Sequence, residues 1–140
     1  RGGAAPREGT GLRVALRRHG PFDLVLIMLG TNDLADYDPE MIVADVQTLH
    51  EVCHAAGTRT VALSVPPNGM ASRSKRYNKL WGDVNRAISK WANCSSQVAL
   101  FVDTNEIVPF SDGSPLWEDD DLHLSVAGSQ RLGEAVAGLI

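Results

Sequence analysis

The 140-residue chain is poor in cysteine, in aromatic residues and in long apolar runs. Its two cysteines, Cys53 and Cys94, are too few for a disulfide framework and too far apart for a Cys-x-x-Cys motif. No stretch approaches the roughly 18 apolar residues of a membrane helix, and no signal peptide is recognisable. A disulfide scaffold and a membrane span are therefore not expected in these residues. Localisation is left open, because the sequence begins at Arg1 rather than Met.

An excess of positive charge is also missing. The net charge is −4 and the isoelectric point is near 5.5, so we expect no basic surface that would bind nucleic acid. The one basic cluster consists of Arg73, Lys75, Arg76 and Lys79, and we interpret it as the solvated face of a helix. With 44% hydrophobic and 21% charged residues, the composition is that of a globular protein, and we expect residues 1–140 to form a single domain.

The most informative stretch is an apolar run that ends in a polar turn. Residues 24–29 are six consecutive apolar residues, and Gly30-Thr31-Asn32-Asp33 follows them. A run of this length predicts a strand buried on both faces of a parallel sheet. In open α/β sheets, ligands bind at the carboxyl ends of the strands. We therefore predict that Asn32 lies in an active site.

Strands and helices alternate along the rest of the chain. We predict strands at 22–29, 58–65 and 98–102, helices at 11–19, 38–57, 72–94 and from 125 onward, and a loop at 110–124. This order predicts an α/β fold with a parallel sheet and helical crossovers. Three strands are few for such an architecture, so we expect that a first strand is missing from this sequence.

A second polar cluster stands near the other end of the chain, where residues 119–125 read D-D-D-L-H-L-S. Asp120 and His123 are three residues apart in a loop that enters a helix. A carboxylate that accepts a hydrogen bond from one imidazole nitrogen leaves the other nitrogen free to take a proton from a nucleophile. Taken alone, the cluster is better explained as an acidic surface loop with a chance histidine.

The two motifs together change this interpretation. G-T-N-D after a buried strand, followed by D-x-x-H-L-S before a last helix, resembles the SGNH (GDSL-like) hydrolase family, especially its arylesterase-like and acyl-esterase-like members. The resemblance implies a three-layer α/β/α, flavodoxin-like fold and an esterase that acts on small esters without metal or cofactor. It makes Asn32 an oxyanion donor, His123 the general base and Asp120 the acid that orients it. Asp119 and Asp121 are the competing acids, which we interpret as solvated loop charges.

Substrate contacts are expected beside these residues. Gly30 and Thr31 belong to the same turn as Asn32, and Trp117 is the aromatic residue in the loop before Asp120. We predict that all three contact the substrate. Tyr77 could also line the acyl pocket, but its place in the apolar stripe of a helix favours packing in the core.

The sequence departs from the family at the nucleophile. The family's serine stands in a G-D-S block on a first strand, and none of the ten serines here stands in such a block. The second oxyanion donor would be Gly2, Gly3 or a residue upstream. We therefore expect the serine to lie upstream of this fragment and the 140 residues alone to be inactive. The alternative is an SGNH-like binding module that has lost its nucleophile.

A rival motif predicts different chemistry. Residues 50–54 read H-E-V-C-H, which matches the H-E-x-x-H zinc motif, with His50 and His54 as ligands and Glu51 as general base. No third ligand is evident, because the helix is predicted to stop at Gly57. The core stripe of that helix is expected to include Cys53, which places both histidines toward its solvated flank.

Overall fold

The computed structural model describes residues 11–140, and in this range the chain forms one parallel sheet. Its strands are β1 (Leu24–Ile27), β2 (Arg59–Leu63) and β3 (Val98–Val102), in the spatial order β1-β2-β3. Both strand pairs are parallel. The predicted α/β class and the parallel sheet are therefore confirmed, and the third strand has the predicted bounds.

Helices make the connections between the strands. They are α1 (Leu12–His19), α2 (Pro39–Ala55), α3 (Gly69–Arg73), α4 (Lys75–Cys94), α5 (Thr104–Ile107) and α6 (Val126–Ala137), with a 3-10 turn at Asp33–Ala35. Within residues 11–140, none of them combines the length and the apolar character needed to cross a bilayer.

The single helix predicted at 72–94 is wrong, because the chain breaks it at Ser74. This residue is extended (φ −125°, ψ 113°), and its hydroxyl accepts a hydrogen bond from the backbone N–H of Tyr77 at 3.2 Å. Serine is a favoured N-cap because its oxygen satisfies a backbone donor that the first helical turn leaves free. The break creates α3, a five-residue helix between β2 and α4.

Helices cover both faces of the sheet, so the core has two parts. On one face, Ala62 packs with side chains of α2 and α4, among them Ile42 and Val84. On the other face, Val61 packs under α6 at Leu132. This alternation follows from the two-residue period of a strand. Val126 at the start of α6 and Leu139 just after its end are exposed (83% and 57%).

The prediction that the strand at 22–29 is buried on both faces is also wrong. Ile27 is 6% exposed, but Leu26 is 44% exposed and Met28 is 39% exposed. In the described part of the chain, β1 is an edge strand, and the side chains of α6 pack mainly with β2 and β3, while Leu24 is the β1 side chain that joins this cluster. An apolar run thus indicated a strand correctly, but it did not reveal where in the sheet that strand lies.

The segment after β2 is held in place by side chains of α4. The backbone N–H of Val65 donates to Asn85 Oδ1 at 2.7 Å, and Asn85 Nδ2 donates back to the Val65 carbonyl at 3.0 Å. The indole N–H of Trp81 donates to the same carbonyl at 2.8 Å. These bonds replace the ladder bonds that Val65 loses where the strand ends, and they fix the carboxyl edge of the sheet.

Candidate active site

The turn after β1 is built around a glycine that no other residue would replace easily. Gly30 has φ +111°, and a Cβ placed on it would lie 2.9 Å from Val65 Cγ2. Its carbonyl accepts hydrogen bonds from the backbone N–H groups of Asp33 (3.1 Å) and Leu34 (3.2 Å). The turn is therefore tight and packs directly on the loop that follows β2.

Asn32 stands at the tip of this turn with its side chain exposed. Its backbone is helical (φ −74°, ψ −22°), and its side chain makes no capping hydrogen bond to the 3-10 turn that follows. The amide therefore remains available to a ligand. It lines an open cleft of about 460 Å³ together with Gly30, Thr31 and Tyr37. A carboxamide N–H at the carboxyl end of a strand is a suitable donor to a developing oxyanion.

The second predicted pair is in hydrogen-bond contact. His123 Nδ1 lies 2.6 Å from Asp120 Oδ2, and the imidazole is largely exposed. Because a carboxylate only accepts hydrogen bonds, Nδ1 carries the proton of this bond and Nε2 faces outward as the basic nitrogen. Among residues 11–140, no side chain forms a hydrogen bond with Nε2. A base oriented by an acid is the arrangement that general base catalysis needs.

Asp120 also orders the backbone of this loop. Its Oδ1 accepts from the N–H of Leu122 and from the N–H of His123, each at 2.9 Å. The hydrogen bond from the His123 side chain and these two backbone bonds lower the pKa of Asp120 from 3.8 to about 2. The carboxylate is thus ionised at any pH at which the histidine could act as a base.

The competing acids have different surroundings. Asp119 is exposed, as predicted for a solvated loop charge. Asp121 is not such a charge, because its Oδ2 lies 2.9 Å from Arg73 Nη1 and its side chain is 31% exposed. The prediction is therefore wrong for Asp121, and the partner that changes its surroundings lies 48 residues away along the chain.

The two loops are joined by residues that sequence reasoning did not assign to the site. Asn68 Nδ2 donates to the Tyr77 hydroxyl at 3.2 Å, and that hydroxyl donates to the Thr31 carbonyl at 3.5 Å. On the other side, the backbone N–H of Gly69 donates to the Asp121 carbonyl at 2.8 Å. Asn68 was not among the predicted site residues. The available signal was its position before a short helix, since asparagine is a favoured N-cap.

Tyr77 belongs to the core, as its place in the helix stripe predicted. Its side chain is 7% exposed and packs in the cluster under α2 and α4. Its hydroxyl nevertheless reaches the turn of Thr31. An open cleft of about 540 Å³ lies beside it, between the 3-10 turn and α4, and shares Asp36 and Tyr37 with the cleft of Asn32. The smaller cleft is the better candidate for the substrate site, because Asn32 lines this cleft and does not line the larger one.

Trp117 is 6% exposed, and its indole N–H donates to the Pro109 carbonyl at 3.2 Å. Its ring also packs edge-on against Phe110, with the ring centroids 5.5 Å apart. These contacts order the loop before Asp120. Contact of Trp117 with a substrate stays a prediction.

No serine in residues 11–140 hydrogen-bonds to His123. Ser64 is buried, and its hydroxyl lies 2.8 Å from the hydroxyl of Thr104. Ser125 caps α6, where its hydroxyl accepts from the N–H of Gly128 at 3.1 Å. Gly2 and Gly3, the candidates for the second oxyanion donor, lie outside the described residues.

The two histidines of the H-E-x-x-H segment contact a side chain of the sheet. His50 Nδ1 lies 2.7 Å and His54 Nε2 lies 2.9 Å from the hydroxyl of Thr60 on β2. His50 is fully buried, so its expected place on the solvated flank is wrong. In the described range, no group of three or more His, Cys, Asp or Glu side chains is arranged to hold a metal ion. The two histidines therefore pack helix α2 on the sheet.

A family model matches most of the chain. Residues 2–131 match the model of the GDSL-like lipase/acylhydrolase family. No curated protein matches the sequence.

Solved structures share the fold at low identity. A GDSL-like lipase from Bacteroides thetaiotaomicron VPI-5482 is 19% identical, with a TM-score of 0.67 over 84% of this chain and 63% of its own. A carbohydrate esterase family 3 protein from Talaromyces cellulolyticus is 19% identical, with a TM-score of 0.69 over 88% and 58%. An acetyl esterase mutant with an acetate ion is 20% identical, with a TM-score of 0.64 over 84% and 58%. The chain thus spans less than two thirds of the length of these structures.

Proposed function

Because this chain belongs to the GDSL-like lipase/acylhydrolase family, we propose that it supplies the base, the orienting acid and an oxyanion donor of a serine esterase that acts on small carboxylic esters. The observation that carries the proposal is the hydrogen bond of 2.6 Å between His123 Nδ1 and Asp120 Oδ2. It fixes the tautomer in which Nε2 is the base.

The proposed reaction has two steps. In the first, His123 Nε2 takes the proton of a serine hydroxyl while the serine oxygen attacks the ester carbonyl, and the protonated ring then gives this proton to the leaving alcohol. In the second, the same nitrogen activates water, which releases the carboxylic acid and restores the serine. The Asn32 side-chain N–H stabilises the oxyanion in both steps. No metal or cofactor takes part.

The nucleophile is a serine from a further segment of the protein. This is supported by the surroundings of the ten serines in the chain, none of which is hydrogen-bonded to His123. Gly30 and Thr31 are the proposed substrate contacts, because they line the cleft beside Asn32. Met28 and Leu29 give the same cleft an apolar wall that suits a short acyl group.

The test uses p-nitrophenyl acetate and two proteins, the 140-residue chain and a longer protein that carries a G-D-S serine before it. The chain alone should be inactive, and the longer protein should hydrolyse the ester. His123→Ala should lower kcat by about 10²–10⁴-fold, because general base catalysis contributes about that much. His19→Ala is the matched control, since this histidine is exposed at the end of α1.

Two outcomes would contradict the proposal. Hydrolysis by the 140-residue chain that disappears in His123→Ala would show that the serine lies within the chain. Full activity of the longer protein with His123→Ala would remove this histidine from the mechanism. The alternative of a binding module would be favoured if the sequence that precedes this chain carried no G-D-S serine and the protein bound esters without cleaving them.

A further inference from the structure

The loop of Asp120 and His123 contains an uncommon backbone conformation. Asp121 has φ +58°, and within residues 11–140 it is the one non-glycine residue with a positive φ. A residue with a side chain rarely adopts this left-handed conformation, although aspartate and asparagine tolerate it better than most. It directs the chain back on itself between Asp120 and His123, which are then close enough to form their hydrogen bond of 2.6 Å.

Three contacts hold Asp121 in this conformation. Its N–H donates to the Glu118 carbonyl at 3.0 Å, and its carbonyl accepts from the N–H of Gly69 at 2.8 Å. Its carboxylate forms the ion pair of 2.9 Å with Arg73. Two of these three partners, Gly69 and Arg73, are the first and last residues of α3.

The approach of the loop to α3 is close. A Cβ placed on Gly69 would lie 2.6 Å from the Cβ of Asp121, so the helix has to begin with a residue that lacks a side chain. The residue before it, Asn68, accepts from the N–H groups of Met70 (3.0 Å) and Ala71 (3.1 Å) and thereby caps the same helix. Asn68 also donates to the Tyr77 hydroxyl, which in turn donates to the Thr31 carbonyl, so the start of α3 contacts the loop of Asp121 directly and is linked to the turn of Asn32 through Tyr77.

We propose that Asp121 is a positioning residue of the esterase, and that it acts by anchoring the loop of Asp120 and His123 to α3 through Arg73 and Gly69. It does not touch the reacting atoms. This inference rests on the proposed function of the same loop. The ion pair lowers the population of loop conformations in which His123 is displaced from the position where it acts as the base.

The test removes the ion pair by substituting either partner in the longer protein that carries the G-D-S serine, with p-nitrophenyl acetate as the substrate. Asp121→Asn keeps a residue that tolerates the left-handed conformation but removes the charge, and Arg73→Met keeps the apolar stem. Because the pair is partly exposed, each variant should lower kcat by about two- to fivefold at an unchanged KM. The double variant should lose no more than Arg73→Met alone, because Arg73→Met already removes the ion pair with Asp121, together with the longer contact of 3.8 Å between Arg73 and the exposed Asp112. Arg73→Lys should restore part of kcat.

The matched control is Arg86→Met. Arg86 forms an ion pair of the same length, 2.9 Å, with Asp83 on α4. Its loss should leave kcat and KM unchanged. If Arg86→Met lowered kcat as much as Arg73→Met does, the loss of kcat would follow from removing any surface ion pair. That result would overturn the proposal.

A second measurement is independent of catalysis. The N–H of His123 donates to Asp120 in the anchored loop, so its hydrogen exchange, followed by NMR in the same proteins, should become about two- to fivefold faster in Asp121→Asn and in Arg73→Met. Faster exchange together with a lower kcat supports the proposal. Unchanged exchange, or faster exchange with an unchanged kcat, overturns it. Faster exchange in a protein that never hydrolyses an ester supports the anchoring of the loop and refutes the proposed function.

Discussion

Acidification should destabilise this protein through a histidine outside the candidate site. His50 is fully buried on α2, its Nδ1 is 2.7 Å from the Thr60 hydroxyl, and its ring packs edge-on against Trp91 at a centroid distance of 4.9 Å. Its Nε2 is buried and has no hydrogen-bond partner among residues 11–140. Burial, and then the neighbouring His54, lower the pKa of His50 from 6.5 to about 4. The folded state therefore holds this ring neutral.

The sign and the size of the effect follow from these two pKa values. Between pH 6.5 and about 4, His50 binds a proton in the unfolded chain but not in the folded one, so the free energy of unfolding falls as the pH falls. The contribution is fully present above pH 6.5 and is lost on the way to pH 4. Because one pKa unit corresponds to about 1.4 kcal/mol, the loss amounts to about 3 kcal/mol. This is a large fraction of the stability of a small domain.

Urea unfolding at half-unit steps from pH 7.5 to pH 4 measures this loss. His50→Gln should have a lower stability at pH 7.5, because it alters a buried site, but its stability should fall less steeply below pH 6.5. His19→Gln, made at an exposed histidine, should keep the slope of the unsubstituted protein. Asp120 does not interfere, since its lowered pKa acts below about pH 4. A slope that is the same with and without His50 would refute the reasoning.

Three further predictions concern the turn after β1 and the start of α3. Asn32→Ala should lower kcat for p-nitrophenyl acetate by about 10²–10³-fold in the serine-containing protein, with little change in thermal unfolding, because it removes one oxyanion donor; an unchanged kcat would exclude that role. Gly30→Ala should lower the free energy of unfolding in urea by about 2 kcal/mol or more, since φ is +111° and the new Cβ would lie 2.9 Å from Val65. Gly113→Ala, at φ +71° but with no atom of the described residues other than its chain neighbours within 4 Å of the new Cβ, should cost less, and equal losses would contradict the crowding argument. Asn68→Ala should cost about 1–2 kcal/mol in the same assay, because two N–H groups at the start of α3 lose their acceptor; a loss below a few tenths would refute the cap.

Patterns with a local physical cause were the ones that sequence reasoning predicted well. The last helix, predicted from residue 125 onward, begins after Ser125 as its N-cap, and residues 98–102 form β3 with the expected bounds. The resemblance to the SGNH hydrolases, carried by G-T-N-D and D-x-x-H, is confirmed by the family match over residues 2–131. The hydrogen bond between Asp120 and His123 also spans only three residues, so its partners were visible in the sequence.

Predictions that needed the positions of other elements were less successful. His50 looked solvated because only the stripe of its own helix was considered, whereas Thr60 on the neighbouring strand accommodates it. Leu26 looked buried because an apolar run does not tell which strand lies at the edge of a sheet.

The sequence by itself determined the α/β class and the family, and it led to the prediction of a base, an acid and an oxyanion donor, because short motifs carry that chemistry in a fixed order. Only the tertiary structure decided how the motifs are held. Asp121 meets Arg73 and Gly69 about fifty residues away, and Tyr77 meets Thr31 over a similar separation. Contacts between residues so far apart depend on where the strands and helices pack, and no local pattern records this.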